Sequence, residues 1–233
     1  MPIDPRRPVR PERISPRLVV DDVHDQLLRL IIDGHMEAES PLSIDALARE
    51  FGVSSSPVRE ALARLESTGL VQRLALRGYR VAPALDAEEL ADLLAARLLL
   101  EPAVAAEAAL SVERDALARQ LETSVDALEA APQGEQFESF RAYYEADREF
   151  HRAIVAGTGN RFLVHAYDAL GSHVQRFRLF SGRGVTDAAE TVAEHRAIAQ
   201  AIADGDAPAA EEAMRRHLEG VRSRAISEVS ASL

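Results

Sequence analysis

The 233-residue chain contains no cysteine, which excludes disulfides, thiolate catalysis and cysteine-ligated zinc. It has no tryptophan, and aromatic residues make up only 5% of it, a composition that disfavours β-sandwiches and barrels. Lysine is absent too, so all 27 cationic side chains are Arg. With only 11 Pro and 12 Gly the chain is neither collagenous nor of low complexity. Long apolar runs are missing. The stretch from Leu90 to Leu100 is interrupted by Asp92 and Arg97 and falls short of the roughly 18 residues a membrane span needs. The opening MPIDPRRPVRPERISPR has no apolar stretch behind its charges, unlike a secretory signal, so the expected location is the cytoplasm.

Net positive charge is lacking as well. A balance of -11 argues at first against a polyanionic partner, which needs local positive charge. The charge is unevenly spread, however. Residues 1 to 85 carry 12 Arg against 12 acidic residues, whereas residues 86 to 233 carry 15 against 26. Within residues 54 to 80, Arg59, Arg64, Arg73, Arg77 and Arg80 face only Glu60 and Glu66, a local excess of three positive charges.

What is present is helical periodicity, interrupted once. Residues 1 to 17, with five Pro, read as a flexible arm. A helix over about 21 to 33 aligns Val23, Leu27, Leu30 and Ile31 and ends at Gly34. Ser43 can cap a second, carrying Ile44, Leu47, Ala48 and Phe51 and closed by Gly52. A third follows at once: Ser54, Ser55 and Ser56 offer capping hydroxyls, and Val58, Ala61, Leu62 and Leu65 repeat at i, i+3, i+4 and i+7. The short link between the last two is helix-turn-helix spacing. Two strands, at 70 to 74 and 79 to 81, joined at Arg77-Gly78, complete a winged helix-turn-helix domain over residues 18 to 84. From 85 to 230 only helices are expected, at about 86 to 109, 113 to 130, 136 to 156, 160 to 181, 187 to 204 and 206 to 229. The fold class is therefore mainly α, a winged domain followed by an all-helical antiparallel bundle.

The segment from Gly52 to Val71, with Pro57-Val58-Arg59-Glu60-Ala61-Leu62 at its heart, closely resembles the recognition region of GntR-type bacterial transcription regulators. The second domain resembles the all-helical FCD effector domain of the FadR branch. Its pattern here is Arg97 with Glu101, Asp147-x-x-Phe150-His151, Gly159-Asn160, Glu194-His195-Arg196-Ala197-Ile198 and Met214-x-x-His217-Leu218. Together the two resemblances cover roughly residues 18 to 225. They imply a ligand-responsive transcription regulator, a repressor, acting on double-stranded DNA. Because one small winged domain with few basic residues offers too little contact area for tight specific binding, a homodimer on a pseudo-palindromic operator is expected.

The residues themselves support that reading. The helix that turns Val58, Ala61, Leu62 and Leu65 inward must turn Ser55, Ser56, Arg59 and Ala63 outward. In a major groove Arg59 could bond a guanine bidentately, and Ser54, Ser55 and Ser56 could contact bases or phosphates at a helix N-terminus. Arg77 and Gly78 at the hairpin tip would reach a minor groove. At two positions the chain departs from many relatives, which place Arg where it has Asp45 and Ser55.

In the second domain Asp147 and His151 are four apart and project from one helix face, a spacing shared by metal sites and by ordinary surface hydrogen bonds. The resemblance adds His195 and His217 as third and fourth ligands of a divalent metal ion, zinc, nickel or manganese, with open positions for a small carboxylate effector. It also points Arg97 into the effector cavity; a plain salt bridge to Glu101 is the equal alternative. His24, His35, His165 and His173 are expected to be structural or exposed. A metal-dependent enzyme using the same three-histidine, one-aspartate set is the competing expectation, although no nucleophile or general base accompanies it at a telling spacing.

Overall fold

In the computed structural model, which describes residues 16–75, 78–83, 85–132, 137–180 and 187–230, every expected helix is present. Helix α1 (Pro16–Ile32) starts earlier than its apolar periodicity suggests, so residues 16 and 17 of the expected arm belong to it; Pro is well suited to a first helical turn. Ser43 caps α2 (Ile44–Glu50) by accepting the Ala46 N–H at 3.3 Å. Gly52, at φ 66°, provides the left-handed turn into α3 (Ser55–Ser67).

The wing has three strands where two were expected. β2 (Val71–Leu74) and β3 (Gly78–Val81) form the expected hairpin, and the short β1 (Pro41–Leu42) adds to β3, giving the antiparallel order β1-β3-β2. Two residues are too few to show an alternating pattern, which is why β1 escapes a reading of periodicity. Val23, Leu27, Ile31, Leu62, Leu65, Tyr79 and Val81 close the core of this domain.

Asp86 opens α4 (Ala87–Ala109) with a full capping box: it accepts the Glu89 N–H at 2.8 Å while Glu89 accepts the Asp86 N–H at 3.2 Å. Then follow α5 (Arg114–Ala130), α6 (Phe137–Gly157), α7 (Arg161–Phe180), α8 (Ala188–Ala203) and α9 (Ala207–Ser230). The bundle core, including Leu121, Leu128, Phe150, Ile154, Ile198 and Leu218, is separate from that of the winged domain. Leu90 and Leu94 of α4 pack with Val221 and Ala225 of α9 in a small cluster of their own. Among the described residues no helix is long and apolar enough to cross a membrane.

Candidate functional site

Three helices bring four polar side chains into the apolar interior of the bundle. Asp147 and His151 lie one turn apart on α6, His195 comes from α8 and His217 from α9, and none is more than 3% exposed. The ligand-type nitrogens of the three histidines lie within 4.8 Å of one another. Asp147 Oδ1 stands 3.7 Å from His195 Nε2 and 4.0 Å from His151 Nε2. Phe150 stacks on His195, with centroids 4.1 Å apart and rings 5° from parallel, and so fixes that imidazole's plane. The four residues singled out on the sequence are thus neighbours in space.

The chemistry of this set fits a divalent cation. His151 Nε2 is buried with no hydrogen-bond partner among the described residues, a costly arrangement for a polar atom unless something binds it. Three imidazoles with one carboxylate suit a borderline metal such as zinc, nickel or manganese and leave coordination positions over. Carboxylates stand behind two of the rings: Glu101 Oε2 lies 2.8 Å from His151 Nδ1, and Glu194 Oε2 lies 2.7 Å from His217 Nδ1.

Arg97, expected either in an effector cavity or in a salt bridge, makes the salt bridge. It is 2% exposed, and its Nε and Nη2 donate to the two oxygens of Glu101 at 2.5 and 3.2 Å. Burial alone would raise the Glu101 carboxyl, but Arg97 and His151 hold it well below the usual carboxylate range. Burial likewise works against the Arg97 charge, and Glu101 more than restores it. Tyr167 of α7 lies within the field of both; burial and the Glu101 charge push its phenol well above 10, so it stays protonated. Glu194 and Tyr167 are the site residues that sequence reasoning missed. Glu194 directly precedes His195, but a charged residue next to a candidate ligand carries no signal until the fold brings it beside His217.

On the winged domain α3 buries Val58, Ala61, Leu62 and Leu65 and exposes Ser54, Ser56, Arg59 and Ala63. Ser54 occupies the N-cap position without capping through its hydroxyl. Ser55 is half-buried, and its hydroxyl donates to Asp45 Oδ1 at 3.2 Å. Two of the five arginines counted as a basic face are engaged within the domain. Arg64 pairs with Asp21 at 2.6 Å and Glu60 at 2.8 Å, and Arg80 bonds Gln72 at 2.9 and 3.1 Å and lies 3.5 Å from Glu39. Gly78 is exposed at φ 84° beside Leu42, a conformation that favours glycine, while Arg77 lies outside the described residues. His35 and His165 are exposed and His24 is half-buried; the side chain of His173 lies outside the description.

Known proteins are similar along both domains. The model of bacterial regulatory proteins of the gntR family matches residues 19–81, and that of the FCD domain matches residues 92–220, more than half of the chain. An HTH-type transcriptional regulator in an unstable DNA locus of Streptomyces ambofaciens is 31% identical over 86% of this chain and 82% of its own length. A probable D-xylose utilization operon transcriptional repressor of Paenarthrobacter nicotinovorans is 29% identical over 89% and 88%. Among solved structures, E. coli McbR/YncC superposes with a TM-score of 0.66 over 91% of this chain and 97% of that one at 18% identity, a likeness of fold. The families and relatives matched are transcription regulators, which answers the competing expectation of an enzyme. A winged helix-turn-helix followed by a helical bundle, matched along both halves, establishes that the chain belongs to the GntR family of bacterial regulatory proteins, carries an FCD domain and is a transcription regulator.

Proposed function

We propose that the protein is a cytoplasmic repressor that binds a pseudo-palindromic operator as a homodimer and answers to a small organic acid bound at a divalent metal ion in the bundle. The observation that carries this reading is the convergence of His151, His195 and His217 from three helices on one buried point, with Asp147 beside the first two. A cation held there ties α6, α8 and α9 together, and the positions it keeps open accept a carboxylate. Arg97, gripped by Glu101 behind His151, is the guanidinium this reading assigns to the effector's side of the site. The repressor name of the Paenarthrobacter relative supports the sign of regulation. Two-fold assembly is supported by the small outward face of α3, since one winged domain with few free cations offers little contact area.

In such a protein the effector changes DNA affinity only as far as it prefers one placement of the paired winged domains over another. The test is operator binding by the wild type and His195→Ala, with and without a panel of small carboxylates, alongside the metal content of each protein. The reading requires stoichiometric metal and carboxylate-driven release in the wild type. It requires loss of both in the variant, with DNA binding retained. Metal kept after the substitution, or an undiminished response, overturns it.

A further inference from the structure

Two Arg–Glu–His chains meet the histidine cluster, and they differ in depth. Arg97–Glu101–His151 is buried, its arginine and glutamate side chains 3% and 2% exposed. The second starts at Asp187, at the head of α8. Its Oδ2 accepts from Arg224 Nε of α9 at 2.6 Å. Arg224 Nη1 and Nη2 then donate to Glu194 Oε1 and Oε2 at 3.1 and 3.2 Å, and Glu194 Oε2 lies 2.7 Å from His217 Nδ1. Here the arginine and glutamate are 27% and 25% exposed.

A carboxylate held on both oxygens by a guanidinium only accepts hydrogen bonds. His217 Nδ1 is therefore the protonated nitrogen, and its Nε2 lone pair is the one left for the cluster. Gly220 of α9 adds an independent observation. It does not have a positive φ, so the helix does not require glycine there for its backbone conformation. A Cβ at that position would stand 2.8 Å from Arg224 Nη1 and 3.0 Å from Glu194 Oε1, too close for both to stay where they are. Glycine inside a helix is destabilising relative to alanine, and what it makes room for here is the Arg224–Glu194 pair.

We propose that Asp187, Arg224 and Glu194 form an outer clamp that orients His217 toward the cation, with Gly220 as the space the clamp requires. Glu194 is then a positioning residue and not a ligand. This rests on the metal-centre reading above.

The experiment uses the full chain and Zn2+ alone, measuring affinity by competition with a chromophoric chelator and the Tm of the metal-free protein. Glu194→Gln should lower Zn2+ affinity by about 10- to 100-fold while leaving the metal-free Tm nearly unchanged. Gly220→Ala touches no ligand. It should raise the metal-free Tm through helix propensity and yet weaken Zn2+ binding, a pair of opposite signs that a packing role does not produce. Undiminished affinity in both variants overturns the clamp and leaves the metal centre standing. A wild type that binds no Zn2+, or that binds it no better than His195→Ala, overturns the metal centre and the clamp with it.

Discussion

Asp25 of α1 accepts a 3.1 Å hydrogen bond from Arg141 of α6, the same helix that presents Asp147 and His151 farther along. The pair sits on a cavity of about 210 Å³ lined from the winged domain by Leu28, Leu65 and Leu70 and from α6 by Tyr144 and Arg148. Since the two apolar cores do not merge, this polar tie joins the DNA-binding domain to the helix that bears half of the candidate ligands.

The tie should be measurable and modest. Asp25 and Arg141 are each about a third exposed or more, so a double-mutant cycle with Asp25→Asn and Arg141→Gln should give a coupling of about 0.2–1 kcal/mol in urea unfolding. Burial works to raise the Asp25 carboxyl, but hydrogen bonds from His24 and Arg141 and the Arg141 charge hold it below its ordinary value of 3.8. Glu145, which also pairs with Arg141, and Arg148 are the other charges at this joint. The sign follows from the lowered value: the coupling is present above the ordinary aspartate range and is lost as pH falls through the lower folded value. A coupling that persists in strong acid would contradict this assignment.

Asp45 and Ser55 are hydrogen-bonded to each other across the turn between α2 and α3. On the proposed seating of DNA on α3, the Asp45 carboxylate would stand near its phosphates and repel them. Asp45→Asn should therefore tighten binding on every DNA sequence alike, by less than about 1 kcal/mol, as expected for one charge acting through water. Fluorescence anisotropy with operator and scrambled duplexes checks this; a gain confined to the operator would make Asp45 a determinant of specificity instead.

Arg59 is exposed on the outward face of α3 and has no ion-pair partner among the described residues, unlike Arg64 one turn on. Arg59→Ala should cost about 1–3 kcal/mol of specific affinity and relax preference at one base pair if its guanidinium reads a guanine. Equal weakening on all sequences in the same anisotropy assay would make it a phosphate contact.

Loading the metal should stabilise the fold by mass action. Zn2+ at 100 times its dissociation constant should add about 2.7 kcal/mol, removable with a chelator, and His195→Ala should show no such gain. Thermal unfolding with and without Zn2+ measures it.

The helices and the domain order were legible in the sequence because amphipathic periodicity and caps such as Ser43 act locally. The wing was legible as a hairpin but not as three strands, since β1 is held by pairing with a strand nearly forty residues away. At the site, the Asp147–His151 spacing showed on one helix face, whereas joining it to His195 and His217 took family resemblance. Glu194 behind His217 and Glu101 behind His151 were out of reach, because each pairing spans two helices whose register only packing decides. Arg97 with Glu101 was visible as an i, i+4 pair, and the structure supplies its burial.

That burial leads to the last prediction. Arg97 and Glu101 are both about fully buried, so removing one charge strands the other in the bundle interior. Glu101→Gln should destabilise the metal-free protein by about 3–5 kcal/mol in urea unfolding. Replacing both, Arg97→Met with Glu101→Leu, should cost much less, since a pair of apolar side chains leaves no charge unpaired. The double variant also separates stability from function. Restored folding together with a lost response to carboxylates would place the Arg97–Glu101 pair in the effector's service. A response as strong as the wild type's would leave the pair a packing element and move the effector's carboxylate to other partners.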